Sequence, residues 1–141
     1  MRWLLLLPLM ACTPTQPLQW TLVTAHAPLL ENAQPADAID LDPNPDVVSI
    51  ALTADETETG YAYNGQTPGP TIRVVRGNTL RVELTNQTDV PTTIHWHGLH
   101  VPWAMDGVPW KMPPVEPGES KVYEFVIDQA GTYWYHPHFD T

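Results

Sequence analysis

Apolar and polar positions alternate in short runs along most of the chain. Residues 79–84 place Leu80, Val82 and Leu84 on one face and Arg81 and Glu83 on the other. A period of two marks a strand with one buried face. Strand-like runs also occupy residues 47–52, 59–63, 71–75, 92–97, 121–127 and 132–136. Turn signals separate them: Asn64-Gly65, Pro68-Gly69-Pro70, Arg76-Gly77-Asn78, Pro117-Gly118 and Ala130-Gly131. No stretch sustains a helical period, and no internal repeat is visible. The pattern predicts an all-β domain, an antiparallel β-sandwich or barrel.

The front of the chain breaks this pattern. Met1-Arg2 is a short positive start, followed over residues 3–10 by an apolar run. That run is too short to span a bilayer, which takes about 20 residues. It ends Leu9-Met10-Ala11-Cys12, which resembles a bacterial lipoprotein signal cleaved before Cys12. Residues 1–11 are therefore expected to be a signal peptide and Cys12 a lipid anchor. Export to the cell envelope or periplasm, with attachment to a membrane, follows from that reading. Residues 12–46 read as a Pro-rich acidic tether, with Pro14, Pro17, Pro28, Pro35, Pro43 and Pro45 and no Lys or Arg. Within it, Trp20-Thr21-Leu22-Val23 offers one short strand. The domain proper is expected over residues 47–141.

Composition narrows the function. The chain has 141 residues with 16 acids against six bases, a net charge of −10. Nothing in that balance would replace phosphate counterions, so a nucleic-acid partner is excluded. Sixteen Pro leave little room for long helices, and a single Cys provides no disulfide framework within the chain.

The six His are more telling. Four of them form His95-Trp96-His97 and His136-Pro137-His138, two His-x-His pairs at the ends of strand-like runs. On an extended chain, residues i and i+2 share a face, so each pair presents two imidazoles together. Gly98 and Pro137 favour strand ends and edges, where a site can open. Four imidazoles with no thiolate suit copper, zinc, iron or nickel, and the affinity order favours Cu(II) over Zn(II). No Cys follows position 12, so the chain by itself cannot hold a blue-copper centre. A closed structural zinc site, usually rich in Cys, fits poorly. His26 has no partner nearby, and His100 falls off the same-face spacing, so both read as non-ligands. Trp96 and Trp134 read as packing around the pairs. Met105 and Met112 read as loop packing rather than as ligands to Cu(I).

The run from Tyr63 through Asn64-Gly65-Gln66-Thr67-Pro68-Gly69-Pro70 to Ile72 resembles the start of the first plastocyanin-like domain of a multicopper oxidase of laccase-like type. So do His95-Trp96-His97-Gly98-Leu99, Asp106-Gly107-Val108-Pro109 and the run from Gly131 to His138. The likeness extends from about residue 47 to the C-terminus, with the motifs in the family's order. It implies a Greek-key cupredoxin sandwich that lacks its closing strand, and part of a copper site. In that assignment His95 ligates a type 2 copper, His97 and His136 share one type 3 copper, and His138 ligates the other. Asp106 matches the acidic residue assigned to proton delivery, although an Asp before Gly107 also suits a turn.

Such a cluster reduces O2 to water while a substrate is oxidised elsewhere. The type 1 copper and the remaining cluster histidines belong to a C-terminal cupredoxin domain, in a His-Cys-His motif that this sequence lacks. The resemblance thus implies a chain inactive as an oxidase in isolation and in need of that missing domain or a complementing chain. A non-enzymatic, membrane-tethered copper-binding module is the alternative. A hydrolase built on an open zinc site is a third reading.

Overall fold

The computed structural model describes residues 35–58 and 60–138. The expected signal peptide, Cys12, His26 and Trp20-Thr21-Leu22-Val23 lie outside the described residues. The strands are β1 (Val47–Thr57), β2 (Gly60–Tyr63), β3 (Thr79–Asn86), β4 (His95–His97), β5 (Ser120–Val126) and β6 (Trp134–His136). Among the described residues the only helical element is a single 3-10 turn, Trp103–Met105. The described residues are all-β, as the alternating pattern predicts.

One sheet has the order β2-β1-β3-β5, and a second consists of β4 and β6. Most pairings are antiparallel, but β1 and β3 run parallel, from Val47 opposite Thr79 to Ala54 opposite Asn86. The reason is the connection. Strand β2 folds back along one side of β1, and residues 64–78 then cross to its other side, long enough for a parallel return.

Residues 71–75 were expected as a strand but contribute only an isolated bridge, Asp37 to Thr71. Their backbone is used by the chain before β1. Thr71 N–H donates to Ala36 O and Ala38 N–H donates to Thr71 O, both at 2.8 Å. From Ala36 onward, residues assigned by sequence to the tether thus run along the body. The Asp and Asn side chains there serve the backbone: Asp40, Asp42 and Asn44 each accept from the N–H two residues on, at 2.9 to 3.1 Å.

The core forms where the two sheets face each other. In β3, Leu80, Val82 and Leu84 are buried as their period of two requires. They pack with Ile50 and Leu52 of β1 and Tyr123 and Phe125 of β5. Trp96 of β4 closes the cluster, its ring 5.3 Å from Phe125 and 5.9 Å from Tyr123. Burial of each such side chain stabilises the fold by about 1.5–3 kcal/mol.

A buried polar hub anchors the approach to β4. Asn86 is fully buried at the end of β3, and its amide donates to Val90 O and Val115 O at 2.8 and 2.9 Å. Its carbonyl accepts from both the N–H and the hydroxyl of Thr88. With Thr92 and Val115 bridged through their backbones, the loop before β4 is fixed at both ends. Ile94, next to the first histidine, is held by its N–H donating to the Tyr123 hydroxyl at 3.0 Å.

Candidate metal centre

Strands β4 and β6 pair so that His95 lies opposite His136, Trp96 opposite Tyr135, and His97 opposite Trp134. The pleat then sorts the side chains. Trp96 and Tyr135 turn to the core, their rings 5.9 Å apart, while His95, His97, Trp134 and His136 share the other face. Ring nitrogens of His95, His97 and His136 fall within 4.8 Å of one another. His138 stands beside this trio, its ring 5.3 Å from that of His95 and 6.0 Å from that of His136. All four histidines singled out by sequence are thus brought to one place.

Hydrogen bonds settle which ring nitrogens are free. The Nδ1 of His95 lies 2.7 Å from the carbonyl oxygen of Asp106, and that of His136 lies 2.7 Å from the carbonyl of Pro137. A carbonyl only accepts, so each Nδ1 carries the proton and each Nε2 keeps its lone pair. The Nδ1 of His97 is 3.3 Å from Nε2 of His136, close enough to share a proton until a cation takes its place. Burial pushes the pKa of His136 down, and the neighbouring imidazoles of His95, His97 and His138 push the same way, against the Pro137 carbonyl. An all-imidazole donor set, with the Nδ1 protons of His95 and His136 pinned to carbonyls, fits copper well. Trp134 stacks on His97 at 4.5 Å and on His136 at 4.2 Å, which holds both rings in orientation.

Asp106 faces the same imidazole with its side chain as well. Its Oδ1 lies 3.4 Å from Nδ1 of His95, and its Oδ2 pairs with the ammonium of Lys111. Gly107 follows in a left-handed conformation, φ +73°, pressed against the backbone of Ile94 and His95. That contact fixes the loop after β4 against the strand that carries the first histidine.

His100 is exposed and faces Asp128 at 3.9 Å, away from the trio. Met112 is buried, and its sulfur accepts from Gly107 N–H at 3.1 Å. Sequence reasoning missed three contributors. Thr93 accepts the His138 backbone N–H at 3.1 Å, Trp110 meets the His138 ring edge-on at 5.9 Å, and Lys111 holds Asp106. Only Trp110 carried a signal, as an aromatic in a loop already marked by Asp106-Gly107.

A family model described as "Multicopper oxidase" matches residues 46–141. The chain belongs to the multicopper oxidase family. Copper resistance protein A of Pseudomonas syringae pv. tomato is 47% identical over 81 residues, 57% of this chain and 13% of that protein. Its Escherichia coli namesake is 45% identical over 91 residues, 64% of this chain and 15% of that protein. Among solved structures, a multicopper oxidase from Campylobacter jejuni, described as a metallo-oxidase, superposes with a TM-score of 0.68 at 36% identity. That superposition covers 75% of this chain and 24% of the other. The chain therefore spans only about a seventh of the length of the curated relatives named here. The fold is that of a cupredoxin-like multicopper oxidase domain, and copper is the cofactor that this family and this histidine cluster imply.

Proposed function

We propose that this multicopper oxidase domain supplies half of the histidines of a trinuclear copper cluster that reduces O2 to water. His95 would hold the type 2 copper, His97 and His136 one type 3 copper, and His138 the other. The observation that carries the reading is the register of β4 and β6, which sets His95 opposite His136 and gathers three imidazoles within 4.8 Å. When bound, copper supplies the one-electron chemistry by which O2 is reduced.

The chain's own residues orient and protonate. The Asp106 and Pro137 carbonyls hold the Nδ1 protons of His95 and His136, so both rings present Nε2. The Asp106 carboxylate lies beside the His95 ring, where it can receive a proton and deliver it toward the reacting oxygen. The type 1 copper, the reducing substrate and the remaining ligands would come from a C-terminal cupredoxin domain or a complementing chain.

Copper titration of single His95→Ala and His138→Ala variants and of the quadruple Ala variant tests the site. Each single change should lower Cu(II) binding with little loss of fold. A quadruple variant that bound Cu(II) as tightly as the parent would overturn the assignment. The second reading, a membrane-tethered copper-binding module without oxidase activity, is favoured by the signal-like run ending at Cys12. Export to the periplasm or cell envelope belongs to both readings. Copper-dependent O2 consumption on addition of a chain bearing a His-Cys-His motif would support the oxidase over the module.

A further inference from the structure

We infer that Lys111 is a positioning residue for His95, acting through Asp106. The inference rests on the copper-binding reading above and concerns how this chain prepares its first imidazole. The side chains of Lys111 and Asp106 are 22% and 16% exposed, so water meets little of either charge. A carboxylate so enclosed needs a partner, and removal of one member of such a pair leaves the other uncompensated. Lys111 also lies 4.4 Å over the Trp103 ring, which fixes the ammonium from its outer side.

Asp106 in turn meets His95 twice, through its backbone carbonyl at 2.7 Å and through Oδ1 at 3.4 Å from the same Nδ1. With Oδ2 tied to Lys111, the carbonyl keeps the short contact. The Nδ1–H bond is then held in one direction, which fixes the ring with Nε2 as the ligating atom. No other base among the described residues is in a position to do this. Arg73 and Arg81 pair with Asp37 and Glu124, Arg76 donates to the Asp128 carbonyl, and Lys121 lies over Tyr123. Without Lys111, the freed carboxylate would draw the Nδ1–H hydrogen bond away from the carbonyl or swing toward water, the proton staying on Nδ1 in either case. Either movement loosens the ring.

The test uses the full chain, metal-free and with substoichiometric Cu(II), in four variants: Lys111→Met, Lys111→Arg, Asp106→Asn and Lys111→Met combined with Asp106→Asn. In the metal-free parent, imidazole ¹⁵N NMR should show His95 with its proton on Nδ1. Lys111→Met should move the His95 Nδ1 and Hδ1 resonances as the carboxylate replaces the carbonyl as acceptor, and Lys111→Arg should restore the parent pattern. In Cu(II) competition titrations, Lys111→Met should bind roughly tenfold more weakly, with altered EPR parameters, whereas Lys111→Arg should stay within about twofold. In the Asp106→Asn background, Lys111→Met should cause no further loss. If Lys111→Met does not fold, Lys111→Gln, which keeps a donor but not the charge, is read in its place.

Unchanged His95 imidazole resonances, Cu(II) affinity and EPR spectrum in Lys111→Met would overturn the inference. So would an undiminished Lys111→Met effect in the Asp106→Asn background. A parent that bound no Cu(II) would overturn the copper reading instead, and the comparison of His95 imidazole resonances would still decide whether Lys111 acts on His95.

Discussion

Substitution of Gly107 by Ala should disable the metal centre and destabilise the domain together. A Cβ at this position would lie 1.8 Å from Ile94 O, 2.4 Å from Ile94 C and 2.8 Å from His95 N. All three are backbone atoms of the strand start, so no side chain can rotate away. Relief to an ordinary contact of about 3.4 Å requires a shift of about 1.6 Å in the loop or in the strand. The loop also carries the Asp106 carbonyl, 2.7 Å from His95 Nδ1, and a shift of that size breaks the bond. The left-handed φ of +73° adds about 1–2 kcal/mol for a residue with a Cβ. Loss of the hydrogen bond adds about 1 kcal/mol, and forced repacking about 1–3 kcal/mol.

The expected total for Gly107→Ala is on the order of 3–6 kcal/mol, with Cu(II) affinity down roughly tenfold or more. Gly118→Ala is the matched control: its φ is +79°, but nothing lies within 4 Å of the added Cβ. It should cost only the conformational part, about 1–2 kcal/mol, and leave Cu(II) affinity unchanged. Urea unfolding and Cu(II) competition on both variants provide the comparison. Equal stabilities for the two variants, with Cu(II) affinity intact in Gly107→Ala, would refute the reasoning.

Asn86→Ala removes a fully buried amide with four hydrogen bonds and should lower stability by about 2–4 kcal/mol in urea unfolding; a loss under 1 kcal/mol would count against the hub. Alkaline pH should also destabilise the domain. Burial pushes the Tyr123 phenol up to about 12 and raises those of Tyr63 and Tyr135 as well, so the folded state keeps protons that the unfolded chain releases near pH 10. This stability is fully present below pH 10 and is lost as pH rises toward 12, at about 1.4 kcal/mol per pH unit for Tyr123 alone. Phenolate absorbance that rose with a single midpoint at pH 10, with no unfolding, would contradict it. Cys12→Ser should release the exported protein from membranes in fractionation, and unchanged retention would argue against a lipid anchor at that position.

Much of the fold was legible because strand periodicity is local. The alternation at Leu80, Val82 and Leu84 announced the buried face of β3, and the two His-x-His pairs announced a shared face on each of two strands. What the pairs did not announce was their register. That His95 faces His136, with Trp134 wedged beside them, depends on pairing across about forty residues, and no short-range pattern encodes it. The parallel pairing of β1 and β3 was missed for a similar reason, since a strand was read at residues 71–75 where the structure has a long connection. Residues 71–75 looked like a strand by composition, yet their backbone partners lie at Ala36 and Ala38, in residues read as a tether. Lys111 left no trace in the sequence, because its role arises from a loop folding back on Asp106. Asn86 was invisible for the opposite reason: a polar residue at a strand end looks exposed until its partners are known.

The two short strands that carry the histidines have a consequence for how the domain is held together. Each is three residues long, and their ladder is a whole sheet of its own. Zipping these strands and assembling the imidazole trio are the same event, so any ligand of the trio adds its binding free energy to the ladder by mass action. At a free ligand concentration 100 times its dissociation constant, that amounts to about 2.7 kcal/mol. Metal supply then acts as a clasp on the sheet, and the protection of the β4–β6 amides from hydrogen exchange becomes a gauge of how much metal the domain holds.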